Sequence, residues 1–208
     1  MSQIIKKENK RTTGVDMTTG NPSRLILFFA LPLLVGNILQ QLYNMVDSMV
    51  VGNFAANGTA ALAAVGTAFP VIFMITSLFN GVGQGATIIV SQYYGANDMR
   101  GVKRAVDTVY VFLFVVSIPV TLVGILISRP MLILMKTPLE ILPMAVTYMR
   151  IIFIGTLASF GYNINSGILQ GLGDSKRPLL FLAISAVINI ILDLIFVIVF
   201  HWDVAGVA

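Results

Sequence analysis

Five apolar stretches separated by short polar punctuation set the rhythm of the 208-residue chain. The spans run from about 24–51, 59–93, 105–127, 143–170 and 179–200, and VAGVA at 204–208 reads as the start of a sixth. Each complete run reaches the roughly 20 residues that an α-helix needs to cross a bilayer. The pattern predicts an all-α, polytopic membrane helix bundle. Residues 1–23 are polar and form a separate tail, disordered or lying on the membrane. The connections are a short turn at Gly52–Gly58, the loop Tyr94–Arg104, a connection at Ser128–Leu142 whose apolar middle lies in the interface, and the turn Gly171–Pro178.

The first span departs from a plain apolar helix. Asn37, Gln40, Asn44 and Asp47 are spaced three, four and three apart. At 3.6 residues per turn they share an arc of roughly 80°. The rest of the circumference is Leu, Ile, Val, Met and Tyr. A soluble amphipathic helix carries a mainly charged polar face; this one carries amides and a single carboxylate. An ionisable residue in a bilayer is expensive and faces a bundle interior or a hydrated cavity.

Span 5 repeats the device. Ser185, Asn189 and Asp193 are four apart and share a face. The remaining acids (Glu8, Asp16, Asp98, Asp107, Glu140, Asp174 and Asp203) lie in loops or at span ends. Two helices therefore each present a polar ladder ending in a carboxylate. Asn37, Gln40, Asn44 and Ser185 read as cavity-lining residues, and Asp47 and Asp193 as the chemical pair. Carboxylates and amide oxygens suit a proton or Na⁺, because hard cations take oxygen ligands. Two adjacent carboxylates cannot both stay ionised without a counter-cation. Capping within the bundle is the bland alternative. An intramembrane carboxylate on an amide stripe favours function.

Composition sharpens this. Apolar residues make up 57% and charged ones 11%, against about 25% charged in a typical soluble domain. The net charge of +4 does not imply nucleic-acid binding, because Lys and Arg sit in loops without a basic domain. Ten of the thirteen lie in the N-terminal tail with Arg24, in Tyr94–Arg104 and in Gly171–Pro178. The positive-inside rule puts these segments and the N-terminus in the cytoplasm. Both carboxylates then lie in the outer halves of outward-running helices. There is no cysteine, no His/Cys metal cluster and no Walker or nucleophile-elbow motif. Enzyme chemistry and ATP-driven transport lack support, and no cofactor is expected beyond a coupling H⁺ or Na⁺.

Other features read as structural. Pro32 and Pro119 are candidate bends. Asn80, Gly81, Gly83, Gln84 and Gly85 favour close helix packing in span 2. Asn163, Asn165 and Ser166 are polar positions deep in span 4. His201 and Trp202 suit an interface, and Arg150 snorkels. The Met and aromatic residues suit core or lipid contact, and would also suit a pocket for apolar cations. The span ends QYYGAND and QGLGD echo one another faintly, each followed by basic residues.

ALPLLVGNILQQLYNMVDSMVVGNF, the SQYYGAND and LQGLGDSKRP turns and the INIILDLIF helix, in that order, resemble the amino-terminal half of the multidrug and toxic compound extrusion (MATE) family. The resemblance covers about 18–208 and is strongest to bacterial MepA-like and DinF-like members. It implies one six-helix lobe of a twelve-helix transporter of the bacterial cytoplasmic membrane. Such a transporter exports small organic cations in exchange for Na⁺ or H⁺. It also implies a cation-coupling site at Asp47, Asn189 and Asp193, with a helix-6 threonine just beyond Ala208, and a helix bend at Pro32. Five spans and a stub would lack the carboxy-terminal lobe that forms the other wall of the drug cleft. The chain would then be a truncation, a partial record of a longer protein, or a split half pairing with a second polypeptide.

Three rivals differ in what they require. A lipid-linked oligosaccharide flippase of the same superfamily expects basic residues in the cavity, and spans 1, 2 and 5 offer none inside. A membrane transferase using paired Asp and Mg²⁺ expects Asp-x3-Asp near the cytoplasmic surface. An inactive remnant expects nothing of the carboxylates.

Overall fold

The computed structural model describes residues 20–55 and 57–208. Nearly all of the predicted cytoplasmic tail lies outside the described residues. The described chain forms five long helices: α1 (Pro22–Phe54), α2 (Gly58–Gly95), α3 (Met99–Leu134), α4 (Leu142–Gly171) and α5 (Lys176–Leu194). A π-helical turn at Ile195–Val199 extends α5, and a 3₁₀ segment at Asp203–Val207 comes after it. All five are long and apolar enough to cross a membrane, the last counted through Val199.

Two connections are shorter than their composition suggests. The helical part of α3 begins at Met99, inside the expected inner loop, and runs through Arg129 and Pro130 to Leu134, inside the expected outer connection. Compact turns explain the difference. At the ends of α2, α3 and α4 the chain enters the left-handed region at Asn97 (φ 57°), Lys136 (φ 57°) and Gly173 (φ 83°). The next amide then bonds back across the last turn: Asp98 to Tyr93, Thr137 to Leu132 and Asp174 to Leu169. This is the Schellman closure. On the turns after α2 and α4 an aspartate caps the following helix. Asp98 Oδ1 accepts from Gly101 N at 2.9 Å, and Asp174 Oδ1 accepts from Lys176 N and Arg177 N, both at 3.1 Å. The faint echo between QYYGAND and QGLGD is thus one turn geometry used twice.

Spatial order is not chain order. α4 lies against both α2 and α3, and α1 pairs with α5. In the three-helix core the rings of Phe79 and Phe160 stack at 4.2 Å. α2 and α4 cross closely at glycines. A Cβ on Gly167 would sit 2.5 Å from the Gly83 carbonyl oxygen, and one on Gly171 would sit 2.8 Å from that of Thr87. Thr87 Oγ1 bridges the crossing, donating within reach of both Gly83 O and Gly167 O at 3.0 Å. Close packing thus accounts for Gly83. Gly81 and Gly85, expected from sequence to play the same role, face open space.

The α1–α5 pair is built differently. α1 buries only Gly36, Val50 and Val51, and α5 only Pro178 and Asp193. Leu31, Leu34, Ile38, Leu42 and Met45 of α1 are all exposed. Pro32 and Pro119 lie within continuous helices, as do Pro70 and Pro130.

Candidate functional site

The carboxylate ends of the two ladders meet where α1 packs on α5. Asp47 is half-buried and Asp193 is 3% exposed. Their carboxyl groups face each other within hydrogen-bonding reach. Asn189, half-buried and one turn before Asp193, donates from Nδ2 to Asp193 Oδ1 at 3.4 Å. That long bond turns the amide oxygen away. Asp47 Oδ1, Asn189 Oδ1 and Asp193 Oδ2 are all buried, and none has a hydrogen-bond partner among the described residues.

This arrangement has a chemical consequence. An ionised carboxylate only accepts, and an amide oxygen only accepts. Buried acceptors left unmatched cost about 1–3 kcal/mol each. A proton shared between the two carboxyl groups, or a cation held by them and by the Asn189 oxygen after its amide turns over, relieves that cost. Among the described residues no group of three or more His, Cys, Asp or Glu side chains comes together. The donor set is two carboxylates and an amide. It suits H⁺ or a hard monovalent cation better than a transition metal.

Two tyrosines that the polar ladders did not single out, Tyr43 and Tyr148, join the site, and a third, Tyr162, lies near Tyr43. Tyr43 lies one turn before Asp47, bonds Gln40 and is close to Asp47 and Tyr162. Tyr148, from α4, is within electrostatic range of Asp47, Asp193 and Tyr43. Tyr162 donates to the Pro178 carbonyl at the start of α5 at 3.3 Å. Tyr43 shares the Asp47 face at i−4, a signal present in the sequence. Tyr148 reaches the pair only because α4 lies beside it, whereas Tyr162 meets Tyr43 and the start of α5 rather than the carboxylates.

The remaining expected residues stand apart. Asn37, Gln40, Asn44 and Ser185 are exposed, on the side that no other described helix covers. Arg150 and His201 are exposed. Asn163 and Asn165 turn their amides onto their own helix, at Ser159 O and Gly161 O. Trp202 does more than sit at a boundary: it stacks on Phe196 with ring centroids 5.0 Å apart and planes at 5°. The 204–208 stub, expected to open a sixth span, is a 3₁₀ segment whose Val204 is buried with Val51 and Ala61.

Comparison with known proteins agrees with the helical membrane fold. Probable multidrug resistance protein YpnP of Bacillus subtilis is 36% identical over 193 residues, 93% of this chain and 43% of the relative. Multidrug export protein MepA of Staphylococcus aureus is 22% identical, over 89% of this chain and 41% of the relative. A structure of a MOP superfamily transporter from Pyrococcus furiosus is 28% identical, with a TM-score of 0.86 over 94% of this chain and 43% of that one. The chain thus spans about two fifths of the length of these relatives. The MatE family model matches residues 32–195, and the chain belongs to that family.

Proposed function

We propose that this chain is the amino-terminal lobe of a secondary multidrug exporter, with Asp47, Asn189 and Asp193 as its cation-coupling site. The observation that carries the reading is the meeting of two carboxyl groups, with an amide beside them and three unpartnered buried oxygens among the three residues, between two helices long and apolar enough to cross a membrane. Names of relatives such as YpnP support drug efflux. Site chemistry supports organic cations over anions as cargo, because the described residues around the pair are acids, amides and tyrosines with no basic partner. Cation binding neutralises the pair. The Pro32 region of α1, lacking one backbone bond, is where a changed bend can arise. A few kcal/mol of differential affinity between two cavity states is enough to switch them. A second lobe would supply the opposite wall of the cleft and cover the exposed amides of α1. The cytoplasmic tail and the basic inner turns orient the whole in the bacterial cytoplasmic membrane.

The test uses the transporter reconstituted with its second lobe in vesicles. Asp47→Asn and Asp193→Asn each keep side-chain size and remove the charge. Each should abolish efflux of a cationic dye driven by a Na⁺ or H⁺ gradient while expression holds. Unchanged efflux and unchanged ion dependence in the double variant would refute the assignment.

A further inference from the structure

Immediately after Asp193 the helix changes its hydrogen-bonding register. Leu194 ends the α-helical part of α5, and Ile195–Val199 forms a π turn, closed by Phe200 N donating to Ile195 O at 3.2 Å. A π turn carries one residue more than the α-helix it interrupts, so it rotates the downstream segment by about 100° relative to the upstream one. Such turns are rare and recur at functional sites. The chain then folds back. His201 and Asp203 both take positive φ, 54° and 46°, which non-glycine residues seldom adopt.

Specific contacts hold this geometry. Trp202 N donates to Phe196 O at 3.0 Å, and the two rings stack. Phe200 leans on both rings, at 6.0 Å from Phe196 and 5.8 Å from Trp202. The returning 3₁₀ segment packs onto the π turn at Gly206. A Cβ there would lie 3.0 Å from Val197 Cγ2 and 3.2 Å from the Phe196 carbonyl carbon. Val204 anchors the same segment on Val51 of α1, one turn beyond Asp47. The strap is therefore pinned to α1 at one end and to α5 at the other.

We propose that Gly206 and the Phe196–Trp202 stack are positioning residues of the cation site: they hold the π turn that keeps Asp193 facing Asp47. Because the strap is fixed on α1, the extra residue in the turn decides which face of α5 points at Asp47. Without it, Asp193 would be rotated away. This rests on the reading of Asp47 and Asp193 as the site, but its test does not depend on transport. The ionisable groups facing Asp193 are Asp47 on α1 and Tyr148 on α4, with Tyr43 beside Asp47 and with His201 and Asp203 further along on the strap. None of them is altered by the strap variants.

The chain contains no cysteine, so cross-linking is unambiguous. In the membrane-reconstituted protein, the double substitution Asp47→Cys with Asp193→Cys should form a disulfide rapidly under mild oxidation. Adding Gly206→Ala, or Trp202→Ala, should slow that reaction at least tenfold, and Trp202→Phe should restore it. Gly155→Ala, where a Cβ meets nothing within 4 Å, serves as the neutral control. Should Gly206→Ala fail to fold, the Trp202 pair carries the test alone. Unchanged cross-linking in folded Gly206→Ala and Trp202→Ala would overturn the proposal, as would equal slowing by Trp202→Phe and Trp202→Ala. A failure of the coupling reading shows instead in the Asp→Asn efflux assay, whatever the cross-linking rate.

Discussion

The α2–α3–α4 core and the α1–α5 pair are made of the same apolar residue types and packed in opposite ways. In the core, glycines let backbones touch, aromatic rings stack, and a threonine bridges two helices. In the pair, little is buried, and the buried residues include an aspartate with an unmatched oxygen. Packing of the first kind leaves little room for rearrangement. The second kind has few buried contacts to lose, and on the proposed reading a change of charge between the helices shifts it. On that reading, the difference separates scaffold from moving part within one lobe.

The largest effect expected from breaking that contrast is in the core. Gly167→Leu drives a side chain into the backbone of α2, where even a Cβ would lie 2.5 Å from a carbonyl oxygen. Overpacking typically costs about 1–3 kcal/mol and here exceeds that range, since backbone must move. Loss of folded protein on size-exclusion chromatography is expected, whereas Gly155→Leu, on an open face, should purify normally.

Next comes the pair. Asp47→Asn should leave thermal stability within about 1 kcal/mol of the parent, because the buried oxygen it replaces has no partner to lose among the described residues. The same substitution should flatten the Na⁺ or pH dependence of drug binding, measured by fluorescence titration. Asn at Glu140, which is exposed, should do neither.

Thr87→Val sharpens the comparison from the core side. It removes the hydroxyl that reaches Gly167 O at 3.0 Å, and should cost about 0.5–1.5 kcal/mol in unfolding while leaving ion dependence untouched. The smallest effect concerns sidedness. A cysteine at Asn57 should label from outside intact cells and one at Asn97 should not, with no change in stability. Both positions are exposed, in turns.

The contrast is only half legible in the sequence. The five spans come from run length. The meeting of Asp47 with Asp193 comes from two ladders that both need burial in a bilayer, and the family resemblance adds Asn189 beside them. The wedging of α4 between α2 and α3 is not legible, because it depends on Gly83 and Gly167 touching, and glycine spacing does not say which helix a glycine meets. Gly81 and Gly85 carry the same composition and touch nothing. Tyr148 is hidden for the same reason, since its role comes from the neighbour that α4 acquires. The turn after α3 is hard to read because Lys136 takes a left-handed conformation usually left to glycine or asparagine. The loop before α4 therefore closes in fewer residues than its prolines and charges suggest.

Direct cation binding tests the central claim. In purified protein, radiolabelled Na⁺ binding at equilibrium and proton uptake in weak buffer together report any H⁺ or Na⁺ held by the pair. The expected result is that the parent takes up one or the other, that Asp47→Asn and Asp193→Asn each abolish it, and that Thr87→Val retains it. Undiminished cation uptake in the folded Asp47→Asn, Asp193→Asn double variant would contradict it, and the coupling site would then lie elsewhere.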